Sequence, residues 1–336
     1  MATDIRTAQV RRGGENRVIG SSGKPLLVIV EGSNIDATVD AGIGAIGGLG
    51  RIIGDHKAVL LKPNTNQRDP FPSTTSAEHI RAVARHCGGA GATSIAVHED
   101  HRPAGGQEDL KMYYEAGDLP GMDIRFSRAG ASEDYVLVQH EPWSSEAKPS
   151  DVPQGDGASW ASRMLDADYE QGATPGLRVA REVQEAPVVI NLPVLKRHFA
   201  GQITSAIKNH VGSVYGMHRW IAHAMMQSER DYFDRKLVEF ASAVRPELTI
   251  TDMRSIQAVS GPMVGDDTTF VHGVNRLIVT GDMVAADVVA MDIMKRHDVT
   301  FTTHSEAIVN RQHAYAEELG LGMSDLSKFE VIELTV

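Results

Sequence analysis

The chain has one cysteine, Cys87, in 336 residues. This excludes an intramolecular disulfide and any cysteine-only zinc or iron–sulfur site within the chain, and it fits a reducing compartment. No stretch approaches the roughly 20 apolar residues needed to span a bilayer. Basic residues are in deficit, with 33 Lys and Arg against 44 Asp and Glu and a formal charge of −11. The summed field repels phosphate, so nucleic acid and anionic membrane are not expected partners. Arg11-Arg12 is followed by GGENRVIGSSGK rather than the apolar stretch of an export signal. A cytoplasmic protein is expected, with small molecules or further copies of the same chain (a homo-oligomer) as partners. Several reaction motifs are missing as well. There is no G-x-S-x-G and no P-loop, and HEDH at 98–101 is not H-E-x-x-H. Aromatic residues make up 5% of the chain, and Trp143, Trp160 and Trp220 read as packing rather than as a stacking platform.

What is present is a β–α–β rhythm. Apolar runs at 26–30, 58–61, 94–97 and 188–190 alternate with helical stretches, the pattern of parallel strands covered by helices. The expected fold is α/β: a mixed, largely parallel sheet flanked by helices, either one unit over 25–336 or two closely joined lobes, 25–140 and 177–336. Residues 1–24 read as a polar lead-in. Residues 141–176, rich in Pro, Gly, Ser and Asp, read as an irregular insertion. QEDLKMYYEAG (107–117) reads as a short helix, and 217–244 as one or two helices. GIGAIG at 42–47 matches G-x-G-x-x-G formally, but it lies twelve residues past the nearest strand and inside a helical stretch. Close helix packing explains it better than dinucleotide binding.

The strands share one habit: an apolar run ends and polar side chains follow. Lys62 and Asn64 follow the run at 58; His98, Asp100 and His101 that at 94; Asn191, Lys196 and His198 that at 188; Asp252 that at 248. In open α/β sheets ligands bind past the carboxyl ends of parallel strands, so these groups are expected in one cleft. Taken singly, each has a plainer reading. A lysine past a strand is usually a solvated charge, and a loop histidine usually a surface group. Asp287 and Asp292 sit where a solvent-facing helix would carry acids. His218 and His223, five apart on a helix, point away from each other.

The segments KPN at 62, TT at 74, NLPVLKRH at 191, AIKN at 206, SGP at 260 and DMVAAD at 282 resemble, in order, an uncharacterised family, domain of unknown function 362. That resemblance implies no reaction. A more distant similarity is to the lactate racemase family. His101 precedes Arg102-Pro103, HFAGQITSAIK runs from His198 to Lys208 like that family's H-F-F-A-G-F-S-G-G-x-K, and His223 lies where a later histidine belongs. This resemblance implies a nickel-pincer cofactor anchored by Lys208 and ligated by His223, with His101 and His198 as an acid–base pair. Residues 202–206 replace the family's G-F-S-G-G.

The expected function is a metal- or metal-cofactor-assisted enzyme, an isomerase or oxidoreductase. It would exchange a proton or hydride on a small anionic hydroxy- or keto-carboxylate, because imidazole both takes and returns protons near neutral pH. Lys62, Asn64, Arg102, Lys196 and Asn209 would bind the substrate, with His101, His198 and Lys208 catalytic. His223, His98, Asp100, Asp252 and Asp282 are the metal candidates. The alternatives are a hydrolase or lyase using a hard cation on Asp252 and Asp282, and a non-catalytic anion-binding protein.

Overall fold

A computed structural model describes residues 7–9, 16–65, 69–99, 123–127, 134–139, 147–152, 160–165 and 176–336. The strands are β1 (Thr7–Gln9), β2 (Leu26–Glu31), β3 (Ala58–Pro63), β4 (Ser94–His98), β5 (Asp123–Ser127), β6 (Tyr135–Gln139), β7 (Leu177–Ala180), β8 (Val189–Leu192), β9 (Val194–His198), β10 (Gln202–Thr204), β11 (Leu248–Ala258), β12 (Thr269–Thr280) and β13 (Glu330–Thr335). The helices are α1 (Ile35–Ala45), α2 (Gly50–Ile53), α3 (Ala77–Gly89), α4 (Arg181–Glu185), α5 (Gly216–Met225), α6 (Arg230–Val244), α7 (Met283–His297) and α8 (Thr303–Glu318), and a 3₁₀ turn spans Lys208–Ser213.

The main sheet has the order β13-β2-β12-β11-β8-β3-β4-β5, with β9 joined to β11 and β10 hairpinned onto β9. The pairs β13–β2, β11–β8, β8–β3, β3–β4 and β4–β5 are parallel, and β12 runs antiparallel to both neighbours. The sheet is therefore mixed and largely parallel, as the alternation of apolar runs and helices predicts. A second sheet has the order β1-β6-β7. Part of the presumed lead-in is thus structural: β1 pairs with β6, and Val18 is buried.

Strand alternation sends Val59, Leu61, Ile95, Val97 and Ile190 to one face, where they pack with Ile35, Val39 and Val83 of α1 and α3. On the other face Leu60, Ala96 and Val189 meet α5, α6 and the small sheet, while Leu27, Met253 and Ile278 meet α7 and α8. Gly42 of GIGAIG lets α1 lie on the sheet, since a Cβ there would stand 2.7 Å from Val279. The stretch 217–244 is two helices, α5 and α6. The helix expected at 107–117 lies outside the described residues. Among the described residues no helix is long and apolar enough to cross a membrane.

Candidate functional site

At the carboxyl end of β3 and β8 the alternation that buries Leu60 and Val189 brings Lys62 and Asn191 to the same face. Lys62 is fully buried, and its Nζ lies 2.9 Å from Glu99 Oε1 and donates to the Pro63 carbonyl at 2.9 Å. Glu99 Oε2 accepts the Thr65 amide at 3.0 Å. Asn64 joins two further elements. Its Oδ1 accepts from Lys196 Nζ at 2.7 Å, and its Nδ2 donates to Asn209 Oδ1 at 2.9 Å. Asn209 Nδ2 reaches the Lys62 carbonyl at 3.0 Å and Asn191 Oδ1 at 2.8 Å, and Lys196 also donates to the Ser73 carbonyl at 2.6 Å. Thr75 Oγ1 accepts the Asn64 amide and donates to the Leu192 carbonyl. Four of the expected substrate-binding residues, Lys62, Asn64, Lys196 and Asn209, thus bond to this buried layer. Burial pushes Lys196 from 10.5 down to about 7, against the pull of Glu99 and Asp69.

Above this layer the turn after β9 sets a second group. His198 Nδ1 accepts the amides of Ala200 at 2.9 Å and Gly201 at 3.2 Å. A nitrogen that accepts two N–H groups carries no proton, so the neutral ring bears its proton on Nε2. Burial, with the charges of Lys208, His223, Lys196 and Arg197, holds His198 well below 6.5 and therefore neutral. His223 has the opposite arrangement. Its Nδ1 lies 2.7 Å from the Arg219 carbonyl, which can only accept, so in the neutral ring Nε2 carries the lone pair. The two rings are 6.0 Å apart, centroid to centroid. Phe199, 46% exposed, stacks on His198 at 4.9 Å and roofs the pair.

Lys208 lies across Gly201. A Cβ there would come within 2.7 Å of its Cδ, so the bare glycine gives the lysine its bed. Lys208 is half-buried, and among the described residues its amine has no hydrogen bond or ion pair. Burial, then the charges of Lys196 and Arg219, lower it from 10.5 to about 7. His198, Lys208 and His223, which the lactate racemase resemblance links, lie together here.

Several contributors escaped the sequence reading. Glu99, between His98 and Asp100, is the counter-charge of Lys62. Asp287, expected on a solvent face, is buried and accepts the amides of Ala206 at 2.6 Å and Ile207 at 3.2 Å, holding the segment that leads into Lys208. Burial outweighs these bonds and raises it to about 6. Gly261 of SGP is needed for close approach, because a Cβ there would stand 2.1 Å from the Arg197 carbonyl.

Other expected members lie elsewhere. Asp252 shares the face of Leu248 and Ile250, opposite to Lys208, and is bonded to Arg254 at 2.9 Å. Asp282 follows β12, which runs antiparallel, so it sits at the opposite end of the strands. There it caps α7 through the Ala285 amide and accepts Met323 N. The joint cation site on Asp252 and Asp282 is thus overturned by the direction of β12. His98 faces Glu182 at 3.6 Å, lining a separate cavity of about 430 Å³ with Leu60, Ala96 and Arg181. Asp100, His101 and Arg102 lie outside the described residues. Among the described residues no three His, Cys, Asp or Glu side chains gather closely enough to hold a metal ion. Where the nickel-pincer resemblance places paired glycines, Ser205 and Ala206 are fully buried and the Ala206 amide is committed to Asp287. The described residues fit neither a metal ion nor that cofactor.

Residues 59–292 match the family described as Domain of unknown function (DUF362). A curated relative, a thylakoid-associated protein of Synechocystis sp., is 29% identical over 260 residues, covering 77% of this chain and 69% of its own length. Among solved structures, the lactate racemase apoprotein of Thermoanaerobacterium thermosaccharolyticum is similar with a TM-score of 0.44 and 9% identity. The match covers 81% of this chain and 59% of that one, less than two thirds of its length.

Proposed function

The chain belongs to the Domain of unknown function (DUF362) family, whose name assigns no reaction, and from the geometry of the cleft we propose an enzyme that moves a proton beside the carbonyl of a small 2-oxo-carboxylate. The observation that supports this most directly is the pair of opposite tautomers, His198 with its proton on Nε2 and His223 with its lone pair there, 6.0 Å apart. A neutral imidazole N–H polarises a carbonyl oxygen without surrendering a proton, and a neighbouring imidazole lone pair takes the proton from the adjacent carbon. The field of Lys196, Lys208 and Arg219 favours the carboxylate. His198 is accordingly a hydrogen-bond donor rather than the proton shuttle that the lactate racemase resemblance implies.

The test is deuterium wash-in at C3 of pyruvate and 2-oxobutyrate in D₂O, followed by proton NMR. Exchange should exceed the buffer rate and fall about 10²-fold or more in His223→Gln and in His198→Phe. Exchange no faster than buffer across both acids defeats the reading. If tight binding of either acid accompanies that result, the anion-binding alternative takes its place.

A further inference from the structure

Lys208 is the one lysine of the cleft whose amine no described residue engages. Lys62 is paired with Glu99, and Lys196 is bonded to Asn64 and Ser73. Its neighbours are of like or no charge: Lys196 on β9, Arg219 on α5 and the neutral His198. A cation among cations, with no carboxylate beside it among the described residues, is poorly placed as a structural ion pair and well placed as a neutral nucleophile. Its stem is held by Gly201, whose own amide bonds to His198, so one turn sets both groups. Asp287 fixes the approach to that turn from α7.

We propose that Lys208 captures the substrate carbonyl as an imine. The inference rests on the reading of the cleft as a 2-oxo-carboxylate site. The neutral amine attacks C2, and one amine proton passes to the oxygen, giving a carbinolamine whose hydroxyl accepts a hydrogen bond from His198 Nε2–H. A solvent proton completes the departing water and leaves the protonated imine. His223 Nε2 then takes a proton from C3, and the electron pair of that C–H bond neutralises the imine as an enamine. Return of a proton and hydrolysis release the acid. Burial and the surrounding cations, which lower the amine to about 7, leave roughly half of it neutral at that pH.

The experiment treats the full chain with pyruvate and cyanoborohydride and maps adducts by peptide mass spectrometry. One reduced pyruvyl group is expected on Lys208, formed roughly 100-fold faster at pH 7 than on exposed lysines such as Lys24, because a lowered amine gains neutral fraction faster than it loses nucleophilicity. The capture rate should rise to a plateau above pH about 7. Lys208→Arg, checked for folding by circular dichroism, should keep the charge and lose the adduct. An adduct absent from Lys208, or no faster there than on exposed lysines, overturns the imine. C3 exchange without an adduct overturns the imine alone and leaves proton transfer standing. Absence of both overturns both, and an adduct without exchange supports capture while removing His223 as the base.

Discussion

Glu99→Gln isolates the buried charge pair beneath the cleft. The side chain keeps its shape and can still accept the Thr65 amide, but the Lys62 ammonium, 0% exposed, loses the counter-charge 2.9 Å away. Removing one partner of a buried pair costs about 3–5 kcal/mol. A ceiling comes from deprotonation: an ordinary lysine pays about 1.4 kcal/mol per pH unit below its pKa, or roughly 4.6 kcal/mol at pH 7. That is a large share of the ~5–15 kcal/mol that holds most domains folded. Relief is also poor by rearrangement, since the site is backed by Gly212, where a Cβ would stand 1.7 Å from Glu99 Oε1. The assay is equilibrium urea unfolding at pH 7 and pH 9. Because burial without Glu99 disfavours the charged lysine in the folded chain, the unfolded chain binds more protons, so the deficit should shrink as pH rises. Lys62→Met combined with Glu99→Gln should recover part of the loss. A single-variant deficit below ~1 kcal/mol, or a double variant as unstable as the sum of its parts, would refute the reasoning.

Gly201→Ala separates placement from folding. The added Cβ meets the flexible Lys208 stem at 2.7 Å, so the stability loss should stay near ~1 kcal/mol while pyruvate capture drops about 100-fold; an unchanged capture rate would show that the glycine bed is irrelevant. His79, a fully buried residue of α3 lowered by that burial to about 4, should set part of the acid limb. Its folded value lies below its unfolded one, so its contribution is present above pH 6.5 and is lost as pH falls toward 4, about 3 kcal/mol in all. Asp282 and Asp287, raised from 3.8 to about 6, act in the opposite sense and lose stability as pH rises through that window. His79→Leu should therefore remove a rising contribution of about 1.4 kcal/mol per pH unit between pH 4 and 6, so that stability falls more steeply with rising pH than in the wild type; urea midpoints that keep the wild-type slope would contradict this.

The fold was legible because its strands are short apolar runs closed by Pro, Gly or a polar side chain, as at 58–61 and 188–190, and because helices separate them. Strand direction was not legible. The run before Asp282 looks in sequence like the run before Asp252, each an apolar segment followed by an acid. Yet β12 returns antiparallel beside β11 and delivers its acid to the opposite end of the strands. Periodicity reports which residues face the core and says nothing about which end of the sheet a strand leaves by. Asp287 escaped for a related reason: a carboxylate on a helix reads as solvated unless the partner amides, here 80 residues upstream, are known.

The chemistry of the cleft was legible as residue types and hidden as states. HFAGQITSAIK places a histidine and a lysine ten residues apart, and the intervening turn brings them together over Gly201. Which nitrogen of His198 carries the proton depends on two backbone amides, and for His223 it depends on a carbonyl one helical turn earlier. Neither backbone group has a side-chain signature. The consequence is a division of labour that residue identity alone would assign equally to both rings: at Nε2 the neutral histidine held by amides donates, and the neutral one held by a carbonyl accepts. Exchanging those backbone partners would exchange the roles without changing a single catalytic side chain. On the proposed mechanism the choice of donor and acceptor therefore resides in the turn at 198–201 and in the Arg219 carbonyl of α5, while the polar layer of Lys62, Asn64, Asn191, Lys196 and Asn209 ties β3, β8 and β9 together beneath them.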